Sequence, residues 1–275
     1  MLFSDVDGTL LDGRTPRETL RASWASASRS VEVVLASSRT VEELVTLLDE
    51  LGGDGDVIAE NGCCIAVRAP QLARALGATE AFTHRGRRWY VSCRGASADA
   101  VLAAIGHARQ ALRATMRFAH ELPPALRAAR FGTPAAERRA LARRCTVLVE
   151  PPASDPVNAA WLLALRKDGY AVELGGRWLA VWQGPDKGDA VRTYLEGRRA
   201  VGDVPRVVGA VGDGENDASM LRAVARPLAV QQTDGNHHPA LRAVPCVETV
   251  AAKGHAGWRV AVAALASSGL TPALS

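Results

Sequence analysis

The stretch "LFSDVDGTLLDG" (Leu2–Gly13) decides how this chain is read. An apolar run ends on two aspartates, Asp5 and Asp7, and then breaks into a turn at Gly8. A buried carboxylate is costly unless it is paired, hydrogen-bonded or bound to a metal. Two carboxylates within reach of each other raise each other's pKa or need a cation between them. The spacing predicts a core strand whose end carries a charge-demanding site. The rest of the sequence must supply the partner.

Working outward, short β-rich runs alternate with helical stretches, the pattern of a parallel sheet covered by helices. "LFSDV" is the first expected strand, "VEVVLAS" the second and "DVIAENG" the third. Between the last two, "TVEELVTLLDELGG" has helical apolar spacing and a glycine stop. The character changes at "RRWYVSC", read as a new strand, followed by Ala- and Arg-rich helices from about Asp99 to Arg144. "CTVLVEPP", the helix "NAAWLLALRKDG", "YAVELGG" and "RWLAVW" follow, the last two joined through Gly175-Gly176 as a hairpin. The first pattern resumes with "DKGDAVRTYLEG", "RVVGAVGDGEND", the helix "NDASMLRAVA", the strand "PLAV" and a closing helix "AGWRVAVAALAS". The expected fold is α/β: a Rossmann-like parallel-sheet core from residues 1–82 and 185–275, interrupted by an α/β insert at 83–184.

At 275 residues the chain holds one large or two small domains, and about half its residues are apolar. No apolar run approaches the ~20 residues that span a bilayer. The opening residues lack a basic and then apolar leader, so no signal peptide and a cytoplasmic location are expected. Five cysteines without a CxxC pair read as reduced, buried thiols rather than a disulfide framework or zinc site. The net charge of +4 is dispersed and only three lysines are present. With no basic stripe interleaved with aromatics, neither nucleic acid nor membrane is expected as a partner, and a small anionic substrate is.

Ligands of open α/β sheets bind where strand ends converge. Asp5 and Asp7 with Thr9 follow the first expected strand, and Ser37 ends the second. Lys187 opens a helix, and Asp213, Asn216 and Asp217 follow "VVGAVG". Asp5 and Asp213 can share an oxygen-coordinated cation of the Mg²⁺ type. Lys187 adds positive charge and Ser37 a hydroxyl donor.

Read in order, "DVDGTL", "LASSRT", "DKGDAV" and "GDGENDASML" resemble the four motifs of the haloacid dehalogenase superfamily of phosphatases. The insert follows the third strand, as in the branch with a large α/β cap that hydrolyses sugar phosphates. The resemblance implies that Asp5 is a covalent nucleophile and Asp7 a general acid–base, with Ser37 and Lys187 completing the catalytic set. It implies Mg²⁺ held by Asp5, Asp213, Asp217 and the main-chain carbonyl of Asp7. Within the superfamily, "SSRT", "ENG", "VEPP", "GGRW" and "GW" are similar to the family of mannosyl-3-phosphoglycerate phosphatases. Arg39 stands where that family has a lysine, and Ala180 where it has a cap histidine. Thr9, Arg39, Glu60, Asn61, Arg177 and Asn216 are the expected substrate-binding residues. A phosphohexomutase, a sucrose-phosphate phosphatase-like enzyme and a non-catalytic sugar-phosphate binder are the alternatives.

Other residues carry blander expectations. Arg85, Arg87 and Arg88 should lie on a solvated strand edge, and "ERRALARR" (Glu137–Arg144) should face water. His237 and His238 should cap a helix or sit on the surface, and Trp178 and Trp182 should share one packed strand face.

Overall fold

The computed structural model describes residues 1–151, 156–175 and 178–268. From the N-terminus run β1 (Leu2–Ser4), α1 (Arg17–Ala27), β2 (Val33–Ala36), α2 (Val41–Leu51) and β3 (Val57–Ala59). A 3₁₀ turn at Glu60–Gly62 leads into β4 (Cys64–Val67), α3 (Pro70–Ala75), β5 (Glu80–His84) and β6 (Arg87–Cys93). Then come α4 (Ala98–Leu112), α5 (Pro124–Phe131), α6 (Pro134–Leu141), β7 (Thr146–Val149), α7 (Pro156–Lys167), β8 (Ala171–Gly175) and β9 (Trp178–Trp182). The chain closes with α8 (Lys187–Ala200), β10 (Gly209–Gly212), α9 (Ala218–Arg222), β11 (Arg226–Gln231), α10 (Pro239–Arg242), β12 (Glu248–Lys253) and α11 (Gly254–Ser268).

Among the described residues, one sheet has the order β12-β11-β10-β1-β2-β3-β4-β6-β5, and a second the order β7-β9-β8. β12 through β3 run parallel, while β4, β6 and β5 extend that sheet antiparallel. This is an α/β fold with a Rossmann-like sheet. β1 is the switch point, because its two neighbours, β10 and β2, belong to halves wound in opposite directions.

Strand side chains alternate between two cores. Leu2, Leu35 and Val211 pack with Trp24 and Trp258 on one face, while Phe3, Val34, Ala36 and Ala210 pack with Tyr194 on the other. A third cluster, including Ile105, Trp161 and Val181, fills the insert. Both faces of the central strands are buried against helices, so β2, β3 and β10 read as continuous apolar runs.

The insert boundary differs from the expected residue 83. β6, the strand of "RRWYVSC", pairs with β4 in the core sheet, and the β5–β6 hairpin forms that sheet's edge. The second sheet's unit therefore begins after Cys93. The cause is register: Cys64 to Val67 sit directly opposite Cys93 to Tyr90, and both strands bury apolar faces in the core. The Arg85-Gly86 turn is exposed, and His84, Arg85 and Arg87 gather around Asp49 at the sheet edge.

"ERRALARR" also departs from expectation. α6 ends at Leu141, and the two arginines that follow turn inward. Arg143 donates to the Ser38 carbonyl and the Thr146 hydroxyl, and Arg144 bridges Glu42 and Glu80. Residues Gly176, Arg177 and Pro152, named by the expected hairpin, substrate site and "VEPP", lie outside the described residues. Among the described residues no helix is long and apolar enough to cross a membrane.

Candidate active site

Four loops meet at the carboxyl edge of the parallel strands, following β1, β2, β3 and β10, and the N-terminus of α8 closes the group. β1 ends at Ser4 and hands the chain to Asp5, whose N–H donates to the Val211 carbonyl at 3.0 Å. Trp258 Nε1 donates to Ser4 Oγ at 2.9 Å, and that hydroxyl donates to the Asp5 carbonyl at 2.8 Å. The closing helix thereby fixes the strand end that presents Asp5.

Lys187 is the first residue of α8, whose start is set by a capping box between Asp186 and Asp189. Its Nζ is buried and donates to Asp5 Oδ1 and Asp217 Oδ1, both at 2.7 Å. Burial alone would lower the ammonium pKa, but Asp217 and Asp5 outweigh it and hold Lys187 charged. Burial, then the Asp217 charge, pushes the Asp5 carboxyl well above its usual range, while Lys187 pulls it back. A buried ion pair is worth little unless its remaining lone pairs are satisfied. Asp217 meets that condition through its second oxygen, which accepts from the Asp213 and Gly214 N–H groups at 3.1 and 3.0 Å.

Asp213 accepts from the Thr9 hydroxyl at 2.8 Å. Burial, then Asp217, raises its pKa to about 6, with the Thr9 bond opposing. Thr9 is fully buried, and its hydroxyl orients the Asp213 carboxylate.

Asp5, Asp213 and Asp217 offer carboxylate oxygens that all lie within 4.8 Å of one another. Gly8 has φ +90°, and a Cβ there would stand 2.4 Å from Asp213 Oδ2, so only glycine leaves this cradle open. Such a set of hard oxygen donors fits Mg²⁺. Lys187 and the loop N–H groups already hold Asp217, so the remaining oxygens of Asp5 and Asp213 are the donors best placed for an ion. The side chain of Asp7 is outside this group. It is half-exposed and forms a bidentate pair with Arg39, with Nε to Oδ2 at 2.7 Å and a terminal nitrogen to Oδ1 at 2.5 Å.

Ser37 is buried, accepts from the Arg39 N–H at 3.3 Å and receives the Asn61 N–H on its carbonyl. Asn61 has φ +57°, and its side-chain oxygen is buried without a hydrogen-bond partner among the described residues. Gly62 lies so close to α8 that a Cβ would come 2.1 Å from the Asp186 carbonyl. Asn216 lies in the short turn after β10, partly exposed.

The Glu60 side chain is fully buried and bonds across to the insert. Oε2 accepts from the Cys145 and Thr146 N–H groups and the Thr146 hydroxyl at 2.8–2.9 Å, and Oε1 accepts from the Arg144 N–H at 2.8 Å. The Cys64 thiol adds a fifth donor at 3.9 Å, and the carboxylate fastens the insert to the core.

Between the Asp7–Arg39 pair and the insert lies a cavity of about 340 Å³. Core residues Ser38 and Glu43 line one side, and Arg130, Phe131, Arg143 and Trp178 the other, with Ala180 at its wall. Phe131 stacks on Trp178 with ring centroids 5.2 Å apart, and Arg130 lies over the same indole. Trp178 thus walls the cavity, while Trp182 is buried at the hinge with Nε1 on the Pro185 carbonyl. The sequence reading missed Arg130, Phe131 and Arg143, whose pattern matched an ordinary charged helix. It also missed Glu173, which pairs with Ala180 across β8 and β9 and whose pKa burial raises to about 7. A lone Glu on a short strand carries no signal of its own.

Residues 2–77 match the model of the haloacid dehalogenase-like hydrolase family. Solved structures share the fold over nearly the whole chain. One from Thermoplasma acidophilum is 17% identical with a TM-score of 0.66, covering 96% of each chain. A haloacid dehalogenase-like hydrolase from Bacteroides thetaiotaomicron is 17% identical with a TM-score of 0.64, covering 96% of this chain and 98% of its own. A sugar phosphatase of superfamily subclass IIB is 19% identical with a TM-score of 0.55, covering 90% of this chain and 92% of its own.

Proposed function

We propose that this protein is a Mg²⁺-dependent phosphomonoester hydrolase acting on a phosphorylated sugar or glycosyl phosphoglycerate, best matched by mannosyl-3-phosphoglycerate. The observation that carries this reading is the buried Lys187 ammonium, 2.7 Å from both Asp5 and Asp217. It opposes the burial that raises the Asp5 pKa and adds positive charge where phosphoryl oxygens would sit.

In this reading an Asp5 oxygen attacks phosphorus, and the alcohol oxygen leaves with a proton from Asp7. Water then attacks the phosphorus of the aspartyl phosphate, gives a proton to Asp7 and returns Asp5 as a carboxylate. Asp5, Asp213 and the Asp7 main-chain carbonyl would hold Mg²⁺, which offsets negative charge on the phosphoryl group. Asp217 positions Lys187 and the loop after β10. Arg39 holds Asp7 in a bidentate pair. An incoming anion that draws Arg39 away releases Asp7 to carry the proton.

Selectivity falls to the inserted domain as a cap. Arg39, Arg130 and Arg143 give the cavity a cationic lining suited to a glycerate carboxylate. The Phe131–Trp178 stack offers an apolar wall against which a sugar ring can lie. The Asn61 oxygen, buried without a partner among the described residues, supports a donor from substrate.

The test is inorganic phosphate release across hexose phosphates and phosphoglycerate glycosides, with kcat/KM compared. Mannosyl-3-phosphoglycerate or a close glycosyl analogue should lead. Glucose 6-phosphate as the better substrate would leave only the general sugar-phosphatase reading, and a requirement for a bisphosphorylated sugar would establish a mutase instead.

A further inference from the structure

Four of the five cysteines come together at the junction of the core and the inserted domain, with the Cys64 thiol 3.9 Å from Glu60 Oε1. Cys63 and Cys64 follow the Glu60–Gly62 turn, Cys93 ends β6, and Cys145 immediately precedes β7. Cys64 and Cys93 sit directly opposite each other in the β4–β6 ladder, with their sulfurs 3.4 Å apart. Cys145 Sγ lies 3.9 Å from Cys64 Sγ, and the sulfurs of Cys64, Cys93 and Cys145 are all within 4.8 Å of one another. Three thiolates around one ion at the usual metal–sulfur distance of ~2.3 Å stand roughly 3.8–4.0 Å apart, whether tetrahedral or trigonal. The Cys64–Cys145 spacing matches that value, and the Cys64–Cys93 spacing is somewhat shorter. Soft thiolate donors select thiophilic cations over Mg²⁺ or Ca²⁺.

We propose that Cys64, Cys93 and Cys145 form a binding site for a thiophilic d¹⁰ cation, Cu(I) or Zn(II), that ties the inserted domain to the core. Cys64 and Cys93 belong to the core sheet, and Cys145 leads into the insert's sheet. Cys93 is partly exposed and gives an ion its entrance, while Cys64 and Cys145 are buried. The linkers pack directly on the sulfurs. The Arg94 N–H donates to the Cys63 carbonyl at 2.8 Å, and a Cβ on Gly95 would stand 3.0 Å from Cys63 Sγ and 3.2 Å from Cys145 Cβ. An ion here would restrain the hinge about which the insert moves relative to the carboxylate site. Binding replaces thiol protons with the metal, so each ion taken up releases protons in proportion to the thiols it binds.

The experiment uses the full chain, reduced and freed of metal under anaerobic conditions. Cu(I) and Zn(II) are titrated separately against chromophoric chelators, with near-ultraviolet thiolate absorption and proton release recorded. One equivalent of one ion should be retained, and the two arms decide which. Cys246, exposed on the surface, provides the control. Cys246→Ser should bind as wild type, while Cys145→Ser and Cys93→Ser should each weaken binding by at least ~10²-fold. Cys93→Ala, at the partly exposed position, repeats the test should Cys145→Ser fail to fold. Limited proteolysis of the 94–97 linker should slow on loading in wild type only. Retention of neither ion, or one-equivalent binding that survives loss of Cys93, overturns the site.

Discussion

Asp5 and Lys187 form the smallest unit on which the proposed chemistry rests. Asp5→Asn should fold normally, since Lys187 still has an oxygen to donate to, yet turnover should fall at least ~10³-fold because an amide does not act as nucleophile. Near-normal phosphate release by that variant would remove Asp5 from its role. Lys187→Met should cost about 3–5 kcal/mol in denaturant unfolding, because Asp5 and Asp217 would be left buried without their counter-charge. A loss under 1 kcal/mol, on the order of a surface pair, would mean the pair is solvated in solution. Asp213 adds a pH signature. Its native pKa of about 6 exceeds the ordinary 3.8, so the metal-free native state binds more protons than the unfolded chain between those values. Stability without metal should therefore fall as pH rises through that window. Mg²⁺ needs the deprotonated carboxylate, so its stabilising effect should grow over the same interval. The check is the Mg²⁺-induced Tm shift at pH 5 and pH 8, and an equal shift at both would contradict the assignment of Asp213.

At the scale of elements, the turn after β3 is the fastening point. Glu60 accepts five hydrogen bonds, one from the Cys64 thiol and three from backbone N–H groups around the start of β7. Glu60→Gln preserves shape but sets an NH₂ against N–H donors, and should cost about 1–3 kcal/mol. Hydrogen exchange should rise at Cys145 and Thr146 before it rises in β1. If those amides stay as protected as in wild type, Glu60 is not the fastener. α2 is a second tie. Thr40 caps it in a capping box with Glu43, and the Thr40 hydroxyl also donates to the Arg139 carbonyl of α6 at 2.8 Å. The segment "TVEELVTLLDELGG" was legible as a helix because its apolar spacing and glycine stop are local. Its bond to a helix 99 residues away was not.

Across the whole molecule, the Asp7–Arg39 pair lines the cavity that would select a substrate. Arg39→Ala should raise KM more for a carboxylate-bearing phosphoglycerate glycoside than for a hexose phosphate, because the guanidinium fork pairs with a carboxylate. Equal effects on both would place Arg39 in phosphate binding or Asp7 positioning alone. The sequence by itself determined the order of the carboxylate, hydroxyl and lysine motifs and the strands that carry them. Each motif sits at a strand or helix end with a local periodicity or capping signal, and the strand ends of a parallel sheet share one edge. Only the tertiary structure decided that β5 and β6 belong to the core, because antiparallel pairing depends on which buried face lies alongside. It likewise decided that Glu60 bonds to the start of β7, that Thr9 orients Asp213, and that cysteines at 64, 93 and 145 share one point. Those roles reside in side chains that meet partners tens to hundreds of residues away. No local spacing records such a meeting, whereas burial and hydrogen-bond geometry do.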